Sequence, residues 1–197
     1  MKWYQPVECD NIVENPLVCD SDNLGAWGFD PIRFKEGKEI VNWGKGITFG
    51  VRNQKNNGNP DDALQNHLTL PIFSERLVNT LQKNNIDGIQ FLPIEILLPS
   101  QKKLLGFSIG NFINFVAALD YKHSDYSLFG NDFPNPRVRG KIAGVKKFVL
   151  IAKKIEGLDI IRLSDFKQRF FVSEKVRALF HKNKFTGYSF KEIELTL

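Results

Sequence analysis

The sequence is poor in the residues that most often carry chemistry or staple a small fold: its 197 residues include two cysteines and three histidines. Cys9 and Cys19 form a lone C-x9-C pair, which fits neither a disulfide framework nor a zinc-binding spacing. Both read as ordinary thiols of a reducing compartment. Long apolar runs are missing as well. Residues 148–152 and 112–119, the latter interrupted by Asn114, fall far below the roughly 18 residues a membrane-spanning helix needs. Glu8 and Asp10 stand where the apolar centre of an export signal would lie, so the expected location is the cytoplasm.

Apolar mass is present in quantity, at 42% hydrophobic residues including 17 Phe. A chain of this size buries roughly 70% of the surface its unfolded form exposes, which predicts one domain over residues 1–197. Charge is unevenly spread along it. Residues 1–70 carry 7 Lys/Arg against 10 Asp/Glu, and residues 71–197 carry 20 against 12. The first part is read as an N-terminal sub-lobe. The basic balance of the second suits either nucleic acid or an acidic protein surface, because the same long-range field reaches both.

The strongest pattern is an internal repeat. Residues 74–96 match residues 173–195 at a constant offset of 99, with identities at Ser74/Ser173, Glu75/Glu174, Lys83/Lys182, Asn84/Asn183, Gly88/Gly187, Phe91/Phe190, Ile94/Ile193 and Glu95/Glu194. The shared residue types have a physical logic. Ser74 and Ser173 can cap a helix, and the glutamates after them complement the positive helix end. Leu77 and Leu81, like Val176 and Phe180, fall at i and i+4 and give each helix one apolar stripe. Lys83-Asn84 and Lys182-Asn183 mark helix ends, with the asparagine able to adopt the left-handed conformation. Asp87-Gly88 and Thr186-Gly187 then turn into strand-like runs rich in aromatic and β-branched residues. The unit reads strand, capped helix of about nine residues, glycine turn, strand. Residues 103–119, 146–152 and 159–163 are also β-leaning, and residues 52–65 and 122–141 are long polar loops of the kind that mount binding groups. The fold class this predicts is α+β, a mixed or antiparallel sheet carrying two similar short helices.

The run Phe171-Val172-Ser173-Glu174-Lys175 to Thr186-Gly187-Tyr188-Ser189-Phe190 resembles the C-terminal motif of bacterial polymorphic-toxin immunity proteins, in particular the immunity-eleven family. The runs 146–150, 157–163 and 114–120 are similar to that family too, and the resemblance covers residues 70–197. It implies a cognate immunity protein that binds a toxin domain and blocks it. The family offers no catalytic residue, cofactor or metal to carry over. With no export signal in view, the toxin expected is one that acts inside the cell.

Other constellations are weaker. His181 falls where the other repeat copy has Gln82, a solvent-facing helix position, and His67 has no Cys, Asp or Glu at ligand spacing in sequence. His123-Ser124-Asp125 gathers a base, a hydroxyl and a carboxylate, but hydrolase triads are assembled from distant positions. Gly44-Lys45-Gly46-Ile47-Thr48-Phe49-Gly50 lacks the P-loop order and reads as a strand with glycine kinks. Gly106-Phe107-Ser108-Ile109-Gly110 has the nucleophile-elbow spacing, but strand-forming residues follow it where a helix is required. Basic residues interleave with aromatics from Arg162 to Phe185, the pattern of a nucleic-acid binder. Buried Phe beneath a solvated basic face is the more economical account. A nucleic-acid-binding module using residues 71–197 is the alternative to the immunity reading. For the toxin-facing surface the candidates are Tyr121, His123, Asp125, Tyr126, Phe129, Arg137 and Arg139, because interface hot spots favour Tyr and Arg. The competing reading folds the Phe residues of that loop back onto the protein.

Overall fold

A computed structural model describes residues 1–8, 17–51 and 60–197; Cys9 and the part of the first polar loop at 52–59 lie outside them. Among the described residues fifteen strands form: β1 (Trp3–Glu8), β2 (Val18–Cys19), β3 (Ser21–Asp22), β4 (Thr48–Gly50), β5 (Ala63–Asn66), β6 (Ile72–Ser74), β7 (Ile89–Leu97), β8 (Lys103–Phe112), β9 (Phe115–Val116), β10 (Asp125–Leu128), β11 (Ile142–Lys147), β12 (Val149–Ile151), β13 (Ile160–Leu163), β14 (Phe170–Ser173) and β15 (Tyr188–Thr196). Two α-helices of nine residues accompany them, α1 (Glu75–Lys83) and α2 (Glu174–Lys182). The protein is therefore mostly β, and the expected α+β class with helices laid on one sheet is corrected. The reason is local. Ten of the strands are two to four residues long, too short for a period of two to show in sequence, and long-range pairing rather than propensity makes them.

The strands form a seven-stranded sheet, a six-stranded sheet and a separate β10–β11 hairpin. The seven-stranded sheet runs β2-β5-β6-β8-β7-β4-β3, and the six-stranded sheet, read from its β9 edge, runs β9-β13-β14-β1-β15-β12. Their orientations agree strand by strand. β2 is parallel to β5 as β9 is to β13, and β4 is parallel to β7 as β12 is to β15. The pairs between are antiparallel in both sheets. Register agrees too: Ser74 pairs with Phe107 as Ser173 pairs with Trp3, and Ile94 pairs with Phe107 as Ile193 pairs with Trp3. The middle strand of the first sheet is thus β8, and the corresponding middle strand of the second is β1, from the other end of the chain. β5 and β6 pair across residue 70, and β1 pairs with β14 and β15.

Each helix starts at the predicted serine, but the two serines differ. The Ser74 hydroxyl donates to Asp62 at 2.6 Å and accepts from the Leu77 N–H at 3.4 Å. The Ser173 hydroxyl donates to Asp159 at 2.7 Å and makes no cap bond. The ends also shift by one residue from expectation: Asn85 and Lys184, not Asn84 and Asn183, are left-handed. The N–H groups of Ile86 and Phe185 then reach back to the carbonyls of Leu81 and Phe180, closing both helices in the same way.

Three apolar clusters result. The outer face of the first sheet packs under the segment between β3 and β4, through Leu24, Phe29, Phe34 and Ile40. The outer face of the second packs under the segment between β9 and β12, through Leu119, Ile142 and Phe148. Between the sheets lie both helices, with Leu77, Leu81, Val176 and Phe180 in one cluster. Glycine is required where the halves interlock. A Cβ on Gly187 would stand 2.2 Å from the Ala63 carbonyl oxygen, and one on Gly88 2.0 Å from Asn114 Nδ2.

Candidate interaction surface

The expected loop at 122–141 is an ordered arm containing the β10–β11 hairpin. Asp120 anchors its base: the carboxylate accepts from Thr196 Oγ1 at 2.7 Å, from the Lys122 N–H at 2.9 Å, and pairs with His123 Nδ1 at 2.8 Å. These bonds, Thr196 foremost and His123 next, hold the Asp120 carboxyl down to about 2. Tyr121 donates its hydroxyl to Asp165, which with burial pushes the phenol up to about 12. Its ring meets Tyr126 edge-on at 5.4 Å between centroids, and Tyr126 is half-buried against the third apolar cluster. Asp125 stands opposite Lys147 in the hairpin. At the tip, Phe129 packs on Phe133 at 4.6 Å, and Arg139 Nε donates to the Phe133 carbonyl at 2.7 Å.

The seven candidate residues consequently divide. His123 is occupied in holding the loop base and Tyr126 in packing, while Phe129 pairs with Phe133 within the arm. Arg137 and Arg139 are exposed, and Asp125 is as well. Around them Tyr121, Leu128 and Phe133 are 49%, 52% and 39% exposed. An anchored arm that presents tyrosine, arginine and apolar groups together is suited to a protein partner.

A second concavity was not foreseen. A groove of about 790 Å³ opens on the helix side of the first sheet, between α1 and residues 40–47. Phe91, Pro93 and Leu105 lie on its floor, Glu75 and Val78 on the α1 wall, and Trp43 on the other wall. Trp43 Nε1 donates to the Pro93 carbonyl at 2.8 Å. Residues 44–47, expected as strand, are turn and loop, and the strand begins only at Thr48. The signal available in sequence was Pro93, which cannot donate to a neighbouring strand at that point.

His123 and Ser124 are held in structural contacts. The Ser124 hydroxyl donates to the Val149 carbonyl at 3.2 Å and accepts from the Val149 N–H at 3.1 Å, while His123 turns to Asp120. Ser108 lies inside the central strand β8, which continues to Phe112 without a helix. His67 Nε2 meets Asp22 Oδ2 at 3.0 Å, a partner distant in sequence. Cys19 is fully buried, which pushes its thiol up to about 12. Among the described residues no group of three or more His, Cys, Asp or Glu is placed to hold a metal ion, and no helix is long and apolar enough to cross a membrane. In the basic-aromatic run, Arg162 is 3% exposed and Phe171, Phe180 and Phe185 are buried, so these groups cannot stack on bases.

The described residues form a β-rich scaffold that carries an anchored arm with exposed Tyr121, Arg137 and Arg139. The chain belongs to the Imm11 immunity protein family, whose model matches residues 6–195. Among curated proteins none matches the chain. Family membership implies a toxin as partner.

Proposed function

We propose that this protein neutralises a cognate toxin acting inside the bacterial cell, in the cytoplasm and without catalysis, by binding the toxin domain and covering its active site. The arm at residues 120–147 carries this reading. Its base is fixed by Asp120 and Thr196, so Tyr121, Arg137 and Arg139 are presented with little ordering left to occur on binding. The scaffold beneath, one domain over residues 1–197, is read as a duplicated unit from the matching order and register of the two sheets.

The test uses the polypeptide encoded beside the gene for this chain as the candidate toxin. Stoichiometric loss of its toxicity on co-expression, with a complex that survives gel filtration, is the expected result. Undiminished toxicity with the immunity chain in excess overturns the reading. Within a working pair, Arg137→Ala weakens affinity by about 2 kcal/mol, roughly thirtyfold, with the thermal midpoint nearly unchanged.

A further inference from the structure

The groove on the first sheet has a counterpart position on the second, and there the space is filled. Register equates Ser108 with Tyr4: Ser108 pairs with Phe73 and Pro93, Tyr4 with Val172 and Glu192. The same correspondence sets Gly106 against Lys2, and the offset of 99 sets Val78 against Arg177 and Glu75 against Glu174. On the second sheet the Tyr4 ring is buried, the Arg177 guanidinium lies 4.8 Å above its centroid, and Arg177 bonds Glu174 at 2.8 Å. The Tyr4 phenol interacts with Glu174, and Lys2 pairs with Glu192 at 3.1 Å over the outer part of the site. On the first sheet every filling residue is replaced by a smaller or uncharged one: Ser108 for Tyr4, Val78 for Arg177, Gly106 for Lys2, Pro93 for Glu192. Glu75 alone is retained. It is exposed and has no hydrogen-bond or ion-pair partner among the described residues.

We propose that the groove receives a tyrosine side chain of the toxin, its ring lying over Ser108 between Val78 and Pro93 and its hydroxyl donating to the Glu75 carboxylate. The chain itself supplies the template, since the corresponding site holds a buried tyrosine ring beneath Arg177, which bonds the corresponding glutamate. Apolar walls remove the ring from water, and a lone carboxylate distinguishes a phenol from a phenyl group. That the tyrosine belongs to a toxin rests on the immunity reading; the groove's preference for a phenol does not.

The test is therefore made without the toxin, on the full chain. N-acetyl-L-tyrosinamide is titrated while the methyl resonances of Val78 and Leu105 are followed by NMR, with N-acetyl-L-phenylalaninamide as the control. The expected result is a saturable shift of these methyls, about fivefold weaker for the phenylalanine compound. Ser108→Tyr, which builds into the groove the ring that Tyr4 places in the other site, should abolish the shifts. If that variant does not fold, Glu75→Gln at an exposed position serves instead and reduces the tyrosine preference to near unity. Unmoved methyls, equal response to both compounds in the parent, or a full preference retained in Glu75→Gln each overturn the proposal. None of these outcomes bears on whether the parent neutralises a toxin.

Discussion

Arg76 grips Asp62 through two of its nitrogens and, with the same guanidinium, joins the two halves of the molecule. Nε lies 2.6 Å from Asp62 Oδ1, Nη2 bonds Oδ2, and the Asn183 and Lys184 carbonyls accept from Nη1 and Nη2 at 3.3 Å. The guanidinium carbon also sits 4.7 Å over the Phe185 ring. Asp62, 5% exposed, takes Ser74 Oγ and the Thr186 N–H as further donors. The corresponding Asp159 has Ser173 and Lys175, at 2.7 and 2.8 Å.

Arg76→Ala should destabilise by about 2 kcal/mol, since a buried carboxylate loses its charge partner although the arginine itself is partly solvated. Lys175→Ala should cost under about 1 kcal/mol, because that pair is more exposed. Urea denaturation of the two variants checks the order; equal losses would show that the contacts to Asn183, Lys184 and Phe185 add nothing.

Lys184 closes α2 at φ 52°, a conformation that disfavours a side chain with Cβ. Lys184→Gly should raise stability by about 1 kcal/mol, and its carbonyl remains available to Arg76. An unchanged or lower denaturation midpoint contradicts this.

The Asp120 carboxyl titrates at about 2, below its ordinary range near 4 in an unfolded chain. A depressed carboxyl contributes stability that is present above the unfolded value and lost as pH falls through the folded one. The thermal midpoint of the parent should therefore fall between about pH 4 and pH 2 more steeply than that of Asp120→Asn, whose midpoint is already lower at pH 7. Parallel profiles would remove Asp120 from the acid response.

Because the second sheet takes its middle strand from the other end of the chain and the helices of both halves share one apolar cluster, the two sheets should unfold together. Trp3 is fully buried on β1 in the second sheet, and Trp3→Ala should cost about 4 kcal/mol. The remaining tryptophans, Trp27 and Trp43, lie beside the first sheet. Their fluorescence should nevertheless shift to lower denaturant in this variant, in step with far-ultraviolet circular dichroism. A first-sheet transition left in place would show that the sheets are independent.

Elements set by neighbouring residues were legible in the sequence. Both helices begin and end within a residue of the positions that serine, the apolar spacing and Lys-Asn indicated, since caps and stripes are local physics. Asp62 and Asp159 escaped because their offset is 97, so they fall outside the ungapped window, although Ser74 and Ser173 depend on them. The pairing of β1 with β14 and β15 escaped for another reason: nothing in residues 3–8 indicates partners more than 160 residues away. In the arm, the Phe residues of the tip were weighed as core or contact groups, and Phe129 and Phe133 instead pack on each other. The groove escaped because it is made by what Ser108, Val78 and Gly106 lack relative to their counterparts.

The borrowed middle strand also sets the order in which the protein can come into being. As the chain leaves the ribosome, residues 3–8 emerge long before their partners, and one of their two flanking strands is not made until residue 196. At about 5–20 residues per second this leaves β1 without a full complement of neighbours for roughly ten to forty seconds. The first sheet, by contrast, can close once β8 has been synthesised. A newly started chain gives its cell no complete second sheet until β15 is finished, and a message cut short before β15 leaves Trp3 without its pairing to Ile193.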